Sequence, residues 1–223
     1  QRIPSLTNSL QAILDERQGT IKAYLSGSSA RKLRRGKANL LPGRIHDYRL
    51  SGLCAEELGY KLDTKKAMAL GTLPDPYLEP RGGDAEKTLR SYAATYLREE
   101  IQAEALTRNL EGFSRFLMAM AESYGQILDM SKLAKHAKVG RVQAIRFLEI
   151  LEDTLLGERL ESIGTEQEID VVRHPKVFFF DPGVVNGLLG NFVISADRRG
   201  RLFEQLVYSQ IKNTLYAKDL AHE

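Results

Sequence analysis

Leu133-Ala134-Lys135-His136-Ala137-Lys138-Val139, followed after Gly140 by Ala144 and the pair Phe147-Leu148, carries the spacing that decides the fold. Small side chains at 134, 137 and 144 let two helices cross closely, and Val139 between them is placed to plug the crossing. The order is that of a helix-turn-helix. Lys138 occupies the turn position where glycine is usual, so an L-residue with positive φ is expected there at a modest cost.

The flanks extend the same unit. Upstream, Phe113, Phe116, Leu117, Met120 and Tyr124 follow the i, i+3, i+4, i+7, i+11 pattern of a buried helix stripe. Gly125 ends that helix, Gln126 to Leu128 suit a short edge strand, and Asp129 is a reasonable N-cap for the next helix. Downstream, Ala144, Phe147, Leu148, Leu151 and Leu155 give a third stripe and leave Arg141, Gln143 and Arg146 off the apolar face. Leu155 to Ile163 and Lys176 to Phe180 read as two strands, with Asp181-Pro182-Gly183 closing them. Three helices and a two-stranded wing make residues 111–182 a winged helix-turn-helix. At ~1.5 to 3 kcal/mol per large apolar side chain fully buried, the three stripes supply most of a small core.

The totals set bounds on the rest. A chain of 223 residues holds one large domain or two to three small ones. Lys and Arg number 32 against 29 Asp and Glu, and a net charge of +3 implies no nucleic-acid partner unless the positive groups cluster. A single cysteine, Cys54, excludes an internal disulfide and a multi-cysteine metal site, which fits a reducing cytoplasm. No apolar run approaches the ~20 residues that span a bilayer, so no membrane partner is expected.

Ahead of the winged helix, Leu6, Leu10, Ile13 and Leu14 mark a helix opened by Pro4 or Ser5. Thr20 to Ser26 and Asp47 to Leu50 read as strands of a parallel α/β sheet. Two strands are too few for such a sheet, so further strands or self-association are expected to complete it. Residues 61–110 read as helical: Lys65 to Leu70, a break at Gly71-Thr72-Leu73-Pro74-Asp75-Pro76, then Ala85 to Leu110.

Several short motifs point to a family. Gln1-Arg2-Ile3-Pro4, Ser26-Gly27-Ser28-Ser29-Ala30-Arg31-Lys32-Leu33 and Ala38-Asn39-Leu40-Leu41-Pro42-Gly43-Arg44 resemble the bacterial and archaeal AAA-type ATPases that carry a C-terminal nuclease-like domain of unknown function. The similarity covers nearly the whole chain. It implies a mixed, mostly α architecture in four parts: residues 1–60 the C-terminal part of an AAA-type core, 61–110 a helical lid, 111–182 the winged helix-turn-helix, and 183–223 the start of the nuclease-like α/β domain. Gly71 to Pro74 is similar to the family's Gly-Gly-aromatic-Pro, with Thr72 replacing the second glycine. In that family the Gln-Arg pair follows the acidic Walker B strand, so the resemblance places the P-loop and Walker B before Gln1 and makes ATP and Mg²⁺ cofactors of a parent protein. The sequence contains no Gly-x-x-x-x-Gly-Lys-Ser/Thr, and this chain alone is expected neither to bind nor to hydrolyse ATP.

The resemblance also assigns roles to residues. Ser26 and Ser28, at the end of an expected strand, are candidates for the sensor that orients the attacking water; the alternative is a Ser-Gly turn whose hydroxyls cap the next helix. Arg44 is a candidate arginine finger, or else a solvated loop residue. Arg31 to Lys37 holds five positive charges in seven residues, but no aromatic interleaves them to stack bases, which favours a solvated face. Glu204, on a helix similar to the first of the nuclease-like domain, cannot hold a metal alone. His46, His136, His174 and His222 show no paired spacing, so neither a metal site nor a nucleophile triad is readable.

Two functions follow. In one, the winged helix contacts duplex DNA through Arg141, Gln143 and Arg146 and couples it to nucleotide state. In the other, it only packs the lid against the nuclease-like domain. Glu149, Glu152 and Asp153 on the same helix speak for the second.

Overall fold

A computed structural model describes residues 5–17, 21–24, 48–80, 83–96, 109–161 and 175–220. The described chain is mostly helical and carries one two-stranded sheet. Helix α1 spans Ser5–Glu16; its Ile13 is exposed and Leu10 and Leu14 are only half-buried, so the apolar stripe there covers little. Residues 21–24 and 48–50 have no regular structure, and among the described residues no strand lies beside them. The described parts of the two expected parallel strands therefore do not form a sheet, as an unpaired strand has nothing to hold it. Residues 25–47 lie outside the described residues, and with them Ser26, Ser28, Arg44 and the basic run.

Helix α2 (Thr64–Leu70) is capped by Asp63, which accepts from Lys66 N–H at 3.0 Å, and stopped by Gly71 at φ 73°. The expected break after it contains a helix, α3 (Pro74–Leu78), because Pro74 sits in the first turn, where its missing N–H has no helical partner to lose. Helix α4 (Gly83–Ser91) runs on into a π-helical turn over Tyr92–Tyr96.

Helices α5 (Leu110–Glu122), α6 (Met130–His136) and α7 (Arg141–Asp153) follow, then strands β1 (Gly157–Leu160) and β2 (Lys176–Phe179). The rings of Phe113 and Phe116 on α5 meet Phe147 on α7 edge-on at 5.3 and 5.6 Å, the geometry that places ring edges against ring faces. Ala134, Ala137 and Ala144, at the crossing of α6 and α7, are buried. The strands pair antiparallel with Gly157 opposite Phe179 and Leu160 opposite Lys176. The other edge of β2 is covered too. Gly125 N–H donates to Val177 O, Leu128 N–H donates to Pro175 O, and Ile127 forms a bridge with Lys176.

After β2 the chain does not simply turn away. Asp181 caps a helix, α8 (Pro182–Leu189), which ends at Gly190 in the left-handed region. Its Val184, Val185 and Asn186 are fully buried, so α8 is the inner element against which α2, α4, α5 and the long α9 (Ala196–Ala217) pack. One apolar cluster runs from Ala67, Met68 and Tyr77 through the three-helix unit to Val185, Leu202 and Leu206. The expected boundaries at 110 and 182 thus fall between elements that share one core.

Polar groups fix this junction. The Asp181 carboxylate accepts from Gly183 N–H and Val184 N–H on its own helix and from Thr72 N–H at 2.7 Å. A Cβ on Gly71 would lie 1.8 Å from Asp181 Oδ1, and one on Gly183 2.1 Å from Leu70 O, so glycine lets the Asp181 carboxylate approach at the first position and the α2 backbone at the second. Asn186 Nδ2 donates to the Met68 and Ala69 carbonyls at the end of α2, and Asn186 Oδ1 accepts from Arg198 at 2.5 Å. Arg198 Nη1 also donates to Asn191 O and Val193 O, so the buried guanidinium meets three oxygens here. Among the described residues no helix is long and apolar enough to cross a membrane.

Candidate nucleic-acid interface

Asp129 starts α6 by accepting from Ser131 and Lys132 N–H, both at 3.0 Å. The Lys132 N–H, ahead of that of Ser131, holds the Asp129 carboxyl below its ordinary range. The end of α6 is held by α5: Arg115 Nε donates to Ala137 O at 2.9 Å. Lys138 then takes φ 54°, and Val139 N–H returns to Ala134 O at 3.0 Å, which closes the turn. Gly140 leads into α7 without a side-chain cap. The left-handed step at Lys138 thus aims the start of α7 away from α6.

From Met130 to Leu148 the chain contains Lys132, Lys135, Lys138, Arg141 and Arg146 and no acidic residue. All five are exposed. Lys132 leans on Asp129 at 3.6 Å, whereas Lys135, Lys138, Arg141 and Arg146 have no ion-pair partner among the described residues. A chain with a net charge of +3 thus gathers five cations on two consecutive helices and the turn between them. Such a concentration raises the local potential far more than the total suggests.

Of the side chains expected to face a partner, Arg141 and Arg146 are exposed and Gln143 is half-buried. At about 100° per residue, Gln143 lies on the flank of α7 beside the buried Ile150. The outward arc instead holds Val142, Ile145, Arg146 and Glu149, with Val142 83% and Ile145 40% exposed. Reading the buried stripe alone hides these two, since an exposed apolar residue differs from a core one only in its phase on the helix.

The acidic residues of α7 do not act alike. Glu152 is held by Arg159 of β1 in a two-point contact, Nε to Oε1 at 2.7 Å and Nη2 to Oε2 at 2.9 Å. Glu152, the strongest cause, raises the Arg159 pKa. That pair ties the last turn of α7 to the hairpin and neutralises one acid. Glu149 remains on the outward arc.

Helix α9 braces the far side of the hairpin. Phe178 stacks on Tyr208 with ring centroids 4.4 Å apart, and Tyr208 hydrogen-bonds to Glu158, which Lys212 also meets at 3.2 Å. Burial first, then the Glu158 contact, pushes the Tyr208 pKa up, so the hydroxyl stays protonated and donates. Glu204 pairs with Lys176. Its carboxylate is committed to the hairpin. Among the described residues no group of three or more His, Cys, Asp or Glu is placed to hold a metal ion.

Residues 61–197, from the loop before α2 to the start of α9, match the family described as a domain of unknown function (DUF8612). The chain belongs to that family. The matched span contains both the cationic helix pair and the Asp181 junction. Two uncharacterized proteins, one of Mycobacterium bovis and one of Mycobacterium tuberculosis, are each 26% identical over 229 residues, covering 97% of this chain and 51% of their own length. The chain spans about half the length of the curated relatives it matches. No solved structure matches.

Proposed function

We propose that α5 to β2 work as a winged helix-turn-helix that holds duplex DNA, with α6 and α7 as the helix pair and β1–β2 as the root of the wing. The observation that carries this reading is the run of positive charge: five exposed cations and no acid in the sequence between Met130 and Leu148. Lys132, Lys135 and Lys138 supply phosphate contacts flanking a groove, and Arg141 and Arg146 enter it from the first turns of α7, where recognition helices meet base edges. Gln143 borders that contact from the flank. With five cations the affinity is set mainly by counterion release, so binding is weak, of order 10⁻⁴ to 10⁻⁶ M at physiological salt, and steeply salt-dependent.

The family resemblance extends the proposal to a parent AAA-type ATP-binding protein in which residues 61–110 are a lid that relays nucleotide state. There Ser26 and Ser28 would serve as sensor and Arg44 as arginine finger. The sequence holds no phosphate-cradling loop, so ATP and Mg²⁺ belong to that parent, and the DNA reading stands apart from them.

One observation favours a different reading, a packing module without DNA. The hairpin is braced by Phe178–Tyr208, Glu204–Lys176 and Glu158–Lys212, so much of its surface already serves α9. Fluorescence anisotropy with a labelled duplex at low and moderate salt separates the two. The DNA reading expects saturable binding that an Arg141→Glu, Arg146→Glu variant, shown folded by circular dichroism, loses by at least tenfold. Equal binding by both chains, or none at low salt, leaves the packing module.

A further inference from the structure

We infer that α7 reads thymine, seating C5 methyl groups on Val142 and Ile145 in the major groove. The inference rests on the DNA-binding reading above and adds what the helix recognises.

Val142, Ile145, Arg146 and Glu149 share an arc of about 100° on α7, opposite the buried Ala144, Phe147, Leu148 and Leu151. Val142 is in the first turn of the helix and Ile145 in the second, the part of a recognition helix that enters deepest. Both are β-branched, a poor choice for an exposed helix position on propensity grounds, and neither belongs to an apolar cluster of the protein. Isolated exposed apolar residues are ordinary on protein surfaces. What distinguishes this pair is its frame: Lys138 and Arg141 precede it, Arg146 shares its arc, and no acid lies between Met130 and Leu148.

A partner for this face must offer anionic walls and an apolar floor at once. The major groove does so where it contains A·T pairs: phosphates line its rims, and the thymine C5 methyl is the apolar group that base pairs display there. Arg146, beside the apolar pair, is placed for a phosphate or a guanine edge. Glu149, a turn farther along, is an acceptor without a hydrogen to give, and its charge opposes phosphate. It therefore confines close contact to the first two turns, where Val142 and Ile145 stand.

The test uses the whole chain and random-sequence labelled duplexes made in two forms, one with thymidine and one with deoxyuridine, which lacks only the methyl group. At low salt the parent is expected to bind the thymidine duplex about fourfold more tightly for each methyl seated, the factor for burying one such carbon. A Val142→Ser, Ile145→Ser variant is expected to bind both duplexes alike and to keep the parent's salt dependence, since no cation is removed. Both sites are on the exposed arc, so circular dichroism should show the variant folded. Should the parent bind the two duplexes equally, DNA binding stands and thymine reading is overturned. Thymine reading by this pair is overturned as well if the serine variant keeps the preference, because the methyl is then sensed elsewhere. A chain that binds neither duplex overturns the nucleic-acid reading itself and leaves the Val142–Ile145 face to a protein partner.

Discussion

Gln205 grips the backbone of Phe179 with both ends of its carboxamide: Oε1 accepts from Phe179 N–H at 3.1 Å, and Nε2 donates to Phe179 O at 2.5 Å. The first half of this edge of β2 is paired by residues 125–128, and the Gln205 side chain continues that pairing as if it were a peptide group. A helix residue thus finishes the ladder of a strand. The arrangement protects a strand edge without a further strand and welds α9 to β2.

Replacing Gln205 by leucine keeps the volume but leaves the N–H and C=O of Phe179 buried and unpaired. Each stranded group costs about 1–3 kcal/mol. The Gln205→Leu chain is therefore expected to unfold at clearly lower urea concentration, with a loss of about 2–6 kcal/mol. A wild-type midpoint would mean that the pairing contributes nothing net.

Lys138 presents the opposite case, a residue kept against the preference of its backbone. At φ 54° its side chain meets the steric penalty that glycine escapes. Lys138→Gly is expected to raise stability by about 0.5–1 kcal/mol once the entropy of glycine is set against the relieved strain. If Lys138 holds a phosphate, the same change lowers the slope of log affinity against log salt by about 0.9. Thermal unfolding and a salt titration on one variant thus read strain and function separately. A less stable Lys138→Gly chain would show that the turn tolerates lysine without cost.

Local physics makes the three helices α5 to α7 and the strand pair legible in the sequence. The alternation of small and large side chains from Leu133 to Leu148, the Asp129 cap and the β-prone Val177 and Phe178 each act within a few residues of themselves. Helix α8 is not legible in that way. Pro182-Gly183 reads as a turn, and a helix buried on all sides has no polar face to give it a period. The partners of Asp181, Asn186 and Gln205 are hidden for a different reason. Asp181 meets Thr72 across 109 positions, and no spacing rule reaches that far. At the candidate interface the arginines can be named from the helix phase, but the lysines of α6 and the outward placement of Val142 and Ile145 need both helices in place. Ser26, Ser28 and Arg44 lie outside the described residues, so their roles still rest on the resemblance.

Asp181 offers the sharpest pH test. Burial pushes its pKa up from 3.8 to about 6, against the pull of backbone N–H donors on Thr72, Val184, Gly183 and Leu73. In the unfolded chain the group titrates near its ordinary value. Between about pH 4 and 6 the folded state therefore holds a proton that the unfolded state has released, and linkage makes stability fall as pH rises through that window. The contribution of Asp181 is most favourable below the window and is lost above it. Asp181→Asn keeps an oxygen for Gly183 and Val184 but turns an NH₂ toward Thr72 N–H, so it should be less stable at every pH by about 1–3 kcal/mol. It carries no titrating group, however. The stability difference, parent minus variant, is expected to grow by up to about 1.4 kcal/mol per unit as pH is lowered from 6 toward 4.5, measured by urea unfolding at each pH. A difference that stays flat from pH 7.5 to 4.5 would mean that the backbone donors outweigh burial and keep Asp181 ionised throughout.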